Sequence, residues 1–271
     1  MRIFAIKNES DFDNTAAYLF YYEKKRKFFI ELPDDADEWK TPLILSSFVR
    51  KKQKTVNSHW SKIWVQQRIV PPDRQNLGQI LIDNNLSSYD EFSLLMLSNG
   101  RCAQDDFYLE PVQFDELPEE IKRRNSYKID DIMPLENQKL LIFFSDGTVK
   151  VCDIKRMVDK NSSLEKLLTI HPEYFEKVRL QVGGYGVFWD ENMTISDSEL
   201  FENGKTVPFS KEDFCSFVSN RVVNTAEATE FLGCSRQNID DLIKRGKLKP
   251  IKETEKGKLF LKSDIEKREW E

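Results

Sequence analysis

Two runs rich in β-forming residues, Leu140-Leu141-Ile142-Phe143-Phe144-Ser145 and Thr148-Val149-Lys150-Val151-Cys152, stand on either side of Asp146-Gly147. A two-residue Asp-Gly loop tolerates the positive φ of a tight turn whose twist matches the strands it joins, so the two runs are expected to pair as an antiparallel hairpin. An all-helical chain is thereby excluded. Segments with helical spacing lie before and after this hairpin, and the combination points to an α+β class with more than one domain.

The N-terminal region repeats the mixture. Arg2 to Ile6 reads as an alternating strand, and Ala17 to Tyr22 and Phe28 to Leu32 as a strand pair around the charged tip Glu23 to Lys27. After Pro33 the period changes to that of helices. Leu43, Ile44, Phe48 and Val49 share one stripe; Ser58 to Val70 carries Trp60, Ile63 and Trp64 and is expected to stop at Pro71-Pro72; Leu77, Ile80 and Leu81 form a third stripe. Ser88-Tyr89-Asp90-Glu91 has capping-box form ahead of Phe92 to Met96, with Gly100 placed to end that helix. Trp60, Trp64, Arg68, Arg74, Arg101, Gln104, Asp105 and Asp106 can offer a protein partner an interaction face, although tryptophans in core positions with solvated charges around them explain the same residues.

The chain has 271 residues, 41 of them basic and 46 acidic, for a net charge of -5. At roughly 150 residues per domain that length suggests two or three domains. With 39% hydrophobic residues, and 19 Phe, 8 Tyr and 5 Trp, there is enough apolar area for packed cores, which excludes a disordered or collagen-like polymer. The acidic balance also excludes a bulk nucleic-acid condenser, so any such site has to be local. No run approaches the apolar length of a membrane span and no export signal opens the chain; a soluble, cytoplasmic protein with no membrane association is expected. Cys102, Cys152, Cys215 and Cys234 are widely spaced without a C-x-x-C pair, as suits reduced thiols.

Beyond the central hairpin, Leu164 to Leu168 and Pro172 to Lys177 read as short helices, Val178 to Val182 and Val187-Phe188-Trp189 as strands, and Ser196-Asp197-Ser198-Glu199 as the cap of a brief helix. Gly183-Gly184-Tyr185-Gly186 joins two strands and is read as a turn needing positive φ. The segment from about 127 to 207 resembles the bacterial domain of unknown function 2442 (DUF2442). The residues that carry the resemblance are Phe144 to Val151, Val178-Arg179, Gly183 to Val187, Trp189-Asp190, Ser196 to Leu200 and Asn203-Gly204. It implies a small α+β fold and no particular chemistry. Members of that family are sometimes joined to a helix-turn-helix.

The last stretch fits such a module. Thr225 is expected to cap a helix running to Leu232, Gly233 to make the turn, and Ser235 to cap a second helix from Arg236 to Arg245, ended by Gly246. Ile239, Leu242 and Ile243 share one face of the second helix, which should pack on Ala228, Phe231 and Leu232, with Cys234 as a small buried residue. Leu248 to Lys252 and Lys258 to Leu261 are expected to form a wing, and Ser263-Asp264-Ile265-Glu266 to open a last helix that buries Ile265 and Trp270. This run resembles the winged helix-turn-helix of excisionase and MerR-type DNA-binding proteins at Thr225 to Ala228, Leu232 to Gln237, Leu242 to Leu248 and Leu261 to Ile265.

Between Ser235 and Lys262 nine basic residues (Arg236, Lys244, Arg245, Lys247, Lys249, Lys252, Lys256, Lys258, Lys262) face four acidic ones (Asp240, Asp241, Glu253, Glu255), a local net of +5 in an otherwise acidic chain. The candidate DNA-binding set is Ser235, Arg236, Gln237, Asn238, Lys244, Arg245, Lys256 and Lys258. Arg236 and Gln237, with Asn238 at the flank, would meet base edges in the major groove, Lys244 would share the outward face of Gln237 and Asp241, and Lys256 and Lys258 of the wing would hold phosphates. The Ser235 cap leaves helix-end N–H groups that favour a phosphate. Asp240 and Asp241 count against this face unless they are paired or accept from a cytosine amine. One such module makes few phosphate contacts, so a homodimer on duplex DNA is expected.

Enzyme chemistry finds little support in the sequence. His59 and His171 are far apart, and H-E-x-x-H, G-x-S-x-G and P-loop patterns are absent. Asp146, Asp153 and Lys155 on the central hairpin would suit a metal-dependent nuclease, but Asp146 is explained by its turn. Asp190-Glu191-Asn192 begins like a calcium loop and has Ile195 where the glycine belongs, which rejects it. The expected organisation is an N-terminal α+β domain over 1–120, a DUF2442-like domain over 121–210 and a winged helix-turn-helix over 221–271, with Glu116 to Tyr127 and Val207 to Asn220 as connectors. The expected function is sequence-specific DNA binding by a transcriptional regulator that is no enzyme and holds no cofactor. The alternative is a non-catalytic adaptor of a defence or toxin-antitoxin system.

Overall fold

The computed structural model describes residues 1–158, 162–190, 193–255 and 257–268. The chain is α+β and divides into two compact units, Met1–Asp146 with Lys150–Lys205, and Thr206–Glu271 with Gly147–Val149.

In the first unit β1 (Arg2–Asn8), β2 (Asp11–Tyr22), β3 (Lys27–Glu31), β4 (Thr55–Val56) and β5 (Phe107–Pro111) form an antiparallel sheet in the order β4-β3-β2-β1-β5. The expected tip between β2 and β3 is a 3-10 turn over Glu23–Lys25, closed by Arg26 at φ +51°. The period of two sorts the side chains onto two faces, both buried. Phe4, Ile6, Leu19, Tyr21, Phe28 and Ile30 face one side, where Leu45, Trp64, Val65, Phe92 and Leu95 cover them. Those covering residues come from α1 (Leu43–Arg50), α2 (Ser58–Gln66) and α4 (Glu91–Leu97); α3 (Leu77–Asp83), between them in sequence, has no fully buried residue. Ile3, Ala5, Tyr18, Phe20 and Phe29 face the other side and meet Leu117, Ile121 and Tyr185.

Two helix boundaries differ from the sequence reading. α2 ends at Gln66, well before Pro71, because the chain turns there: the Arg68 amide donates to the Val65 carbonyl. The Arg68 guanidinium then packs 4.0 Å from the Trp64 ring and 2.6 Å from Asp105. Trp64 and Arg68 are therefore interior, with Asp105 closing over them half-buried, and Trp60 keeps 41% of its surface exposed. Asp90, not Ser88, caps α4 by accepting from the Ser93 amide, while Gly100, at φ +73°, follows it as expected.

α5 (Glu119–Ser126) leads into β6 (Ile129–Leu135), β7 (Lys139–Phe144) and β8 (Val149–Asp153), consecutive strands of a second sheet with the short β12 (Lys205–Thr206) at its edge. The β7–β8 connection spans the four residues Ser145 to Thr148, longer than the expected two-residue Asp-Gly loop, with Gly147 at φ +84°. α6 (Ile154–Met157), α7 (Ser163–Ile170) and a 3-10 helix at Pro172–Lys177 precede β9 (Arg179–Leu180), β10 (Gly186–Asp190) and β11 (Met193–Ser196), which form a third sheet in the order β11-β10-β9. α8 (Asp197–Asn203) follows, capped by Ser196 as expected. Leu140, Ile142, Phe144, Leu164, Phe175, Trp189 and Leu200 fill the core between these elements. Gly184 lies at φ +73° with the Ile129 carbonyl oxygen 2.3 Å from where a Cβ would stand, so only glycine fits. The glycine loop thus serves backbone packing and seats Tyr185 in stacked contact with Phe29, ring centroids 4.0 Å apart.

All four cysteines are free. Cys152 is fully buried, donates to the Leu200 carbonyl at 3.2 Å, and burial pushes its thiol up to about 11. Cys215 is exposed. A thiol-disulfide reagent at neutral pH is expected to label Cys215 in the native protein and to reach Cys152 only on unfolding, because the thiolate is the nucleophile and has to be accessible. Peptide mapping of the native protein checks this; early label on Cys152 would contradict the packing described.

Candidate nucleic-acid interface

The second unit opens with α9 (Lys211–Arg221), a helix where the sequence suggested only a connector. Its start is fixed by a capping box in which the Ser210 hydroxyl accepts from the Asp213 amide and the Asp213 carboxylate accepts from the Ser210 amide. β13 (Val222–Asn224), α10 (Thr225–Leu232), α11 (Arg236–Lys244), β14 (Lys252–Thr254), β15 (Gly257–Leu261) and α12 (Lys262–Arg268) follow. Asn224 caps α10, one residue before the expected Thr225, because its side chain reaches the amides of both Ala226 and Glu227 and Glu227 returns the bond. Gly233, at φ +59°, makes the turn. Ser235 caps α11 through the Asn238 amide at 3.3 Å.

The wing is a three-stranded sheet in the order β13-β15-β14, so β15 is central and β13 supplies a strand the sequence did not suggest. β14 begins at Lys252, where the expected strand from Leu248 ends; Leu248 is buried in the core. Val223, Ala228, Ile239, Leu248, Phe260 and Ile265 form that core, with Leu232, Cys234, Leu242 and Ile243 packed against it. Phe231 does not join them: it is 42% exposed, and the Lys262 ammonium sits 4.4 Å above its ring. Arg221 pairs with Glu266 at 3.0 Å, tying the end of α9 to α12.

The core fixes which way α11 faces. Ile239 is fully buried and Leu242 and Ile243 half-buried, so at 3.6 residues per turn Gln237, Asp241 and Lys244 lie at the middle of the opposite face, with Arg236 and Asp240 toward one edge and Asn238 and Arg245 toward the other. Ser235, Arg236, Gln237, Asn238, Lys244 and Arg245 are all exposed, as are Lys247, Lys249 and Lys252 nearby. Among the described residues no ion pair engages the side chains of Arg236, Lys244, Arg245, Lys247, Lys249 or Lys252. Lys258 is different. Its ammonium lies 2.8 Å from Asp240 and 3.4 Å from Glu253, and only 24% of its side chain is exposed. Hydrogen bonding to Lys258 holds the Asp240 carboxyl below the usual carboxylate range, and the same bond raises Lys258 above the usual lysine value. Lys256 and Trp270 lie outside the described residues.

Residues 222–268 match the helix-turn-helix domain family. Residues 129–206 match the family of proteins of unknown function DUF2442, and neither match extends to residues 1–128. No curated protein and no solved structure matches the chain. The helix-turn-helix domain is formed by α10, the Gly233 turn and α11, with β13, β14, β15 and α12 closing its core.

The remaining candidate residues are not gathered into a site. Asp153 pairs with Arg156 at 3.2 Å, Lys155 is exposed, and among the described residues no group of three or more His, Cys, Asp or Glu is placed to hold a metal ion. His171 lies 3.1 Å from Glu173, while His59 lies in the first turn of α2. Among the described residues no helix is long and apolar enough to cross a membrane.

Proposed function

We propose that this protein binds duplex DNA sequence-specifically through its helix-turn-helix domain and acts in the cytoplasm as a transcriptional regulator without catalytic activity. One observation carries the reading: α11 turns Arg236, Gln237, Asn238 and Lys244 outward over a closed core, and its cations are free of ion pairs among the described residues. A helix of that kind suits the major groove, where Arg pairs with guanine and Gln or Asn with adenine. Its first-turn N–H groups, only partly satisfied by Ser235, favour a phosphate. Arg245, Lys247, Lys249 and Lys252, all exposed, extend the cationic surface beyond Lys244.

A homodimer on a two-fold repeated site fits this reading, since one small module makes few phosphate contacts. The first unit then supplies the partner or signal, and its largely exposed Trp39 and Leu43 offer apolar surface for one.

The test is selection of duplexes from a random pool, then binding of the winner against salt. Gln237→Ala is expected to lose about 1–3 kcal/mol of discrimination at one position. Lys244→Ala should weaken all sequences alike and make the log–log salt slope shallower by about 0.9. No enrichment of any sequence at low salt would overturn the reading.

A further inference from the structure

We propose that Lys258 is a positioning residue that shields the recognition helix from one of its two carboxylates, Asp240, and is not a phosphate contact. The inference rests on the DNA-binding reading above and assigns a role inside it.

The sequence presents Asp240 and Asp241 as liabilities and Lys258 as a wing cation; the structure couples Lys258 to the first of them. Asp240 lies one turn after Arg236 and one turn before Lys244, on the edge of the outward stripe. A bare carboxylate there would face the phosphates. Lys258 reaches it from β15, next to the buried Phe260, and the 2.8 Å contact joins recognition helix to wing across 18 residues of sequence. An ammonium has three protons to donate. Asp240 takes one at hydrogen-bond distance and Glu253, on β14, lies at 3.4 Å, leaving little for a phosphate. The strand also fixes where Lys258 stands, because the Glu253–Lys258 pairing is part of the β14–β15 register. Thr225, at the start of α10, donates to the Lys258 carbonyl at 3.4 Å. Lys258 is thus held from both its backbone and its side chain, whereas no ion pair engages the side chains of Lys244, Lys247, Lys249 and Lys252 among the described residues. Two consequences follow. Asp240 is neutralised where it would repel DNA, and the wing is fixed relative to α11 before any duplex arrives.

Binding of the full-length protein to a labelled duplex of mixed sequence, measured against salt, separates the roles. For Lys258→Met the proposal expects several-fold weaker binding and a log–log slope shallower by about 0.9, because Asp240 is unmasked. In Asp240→Asn the slope steepens by a similar amount, since Lys258 is released. The decisive variant is Lys258→Met/Asp240→Asn, which leaves the same net charge as the wild type and is expected to return affinity and slope to wild-type values. If the double variant stays as weak and as shallow as Lys258→Met, then Lys258 is a phosphate ligand and the proposal is wrong. Unchanged binding by Lys258→Met also overturns it. Failure of the wild type to bind any duplex is a different result, the failure of the DNA-binding reading itself. Thermal melting of each variant identifies any loss of binding that comes from unfolding, and Lys258→Gln with Asp240→Asn repeats the comparison if the methionine variant melts early.

Discussion

Lys128→Ala is expected to destabilise the first unit by about 3–5 kcal/mol, the range for breaking a buried ion pair from one side. The Lys128 ammonium is buried 3.0 Å from Glu31 and 2.8 Å from Asp197, with the Tyr185 ring 3.9 Å beneath it. Glu31 is fully buried and also accepts from Arg124 at 3.1 Å, and Arg124 continues to Asp34 at 2.7 Å. Removing the lysine leaves Asp197 without its counter-ion, and the other oxygen of that carboxylate has no hydrogen-bond partner among the described residues. An unpaired buried charge is among the most damaging single changes available. Urea unfolding followed by tryptophan fluorescence measures the loss.

The pH dependence of that loss has a definite sign. Burial already raises the Asp197 carboxyl above its ordinary value in the folded protein. A raised carboxyl contributes stability at low pH and loses it as pH rises through the folded value. Without Lys128 the shift grows, so the deficit relative to wild type should be largest at neutral pH and shrink as Asp197 protonates. Lys128→Met/Asp197→Asn should recover part of the loss at neutral pH. A deficit independent of pH, or a loss below about 1 kcal/mol, would mean that the network is solvated and not the closed cluster described here.

Phe260→Ala is expected to abolish DNA binding by unfolding the second unit, while the first stays folded. Phe260 is fully buried on the central strand of the wing, in a core that has few other buried side chains among the described residues. Truncating a buried phenylalanine costs about 3–5 kcal/mol, and domains of this size have little stability in reserve. The expected signature is loss of slow hydrogen exchange across α10, α11 and β15, with the protection of β1 to β3 unchanged. If Phe260→Ala still bound the selected duplex with wild-type affinity, α11 would owe its position to something other than this core.

Much of this was legible from local signals. Asp146-Gly147, the charged tip after Tyr22, Ser196 and Ser235 all act within a few residues of themselves; the tip and the two caps formed where the residues indicated, and Asp146-Gly147 lies inside a turn lengthened to Ser145–Thr148. The errors were local too: Asn224 outcompetes Thr225 as a cap because it satisfies two amides, and Asp90 outcompetes Ser88. Less legible was α9, where Phe214, Phe217 and Val218 remain 39%, 49% and 39% exposed. With no buried stripe to pattern it, its helix shows in the sequence only through the Ser210–Asp213 cap. β13 is three residues long and exists because β15 offers it an edge.

By itself the sequence determined the class, the central hairpin, the two short helices around Gly233 and the cationic character of the last segment, because propensity, turn chemistry and charge act over short distances. Only the tertiary structure decided the partners. Nothing near Lys128 in the sequence announces Glu31 or Asp197, and nothing near Lys258 announces Asp240. Ion pairs are chosen by which side chains the packed strands and helices bring within a few ångströms, and that proximity comes into being only once the apolar faces have closed.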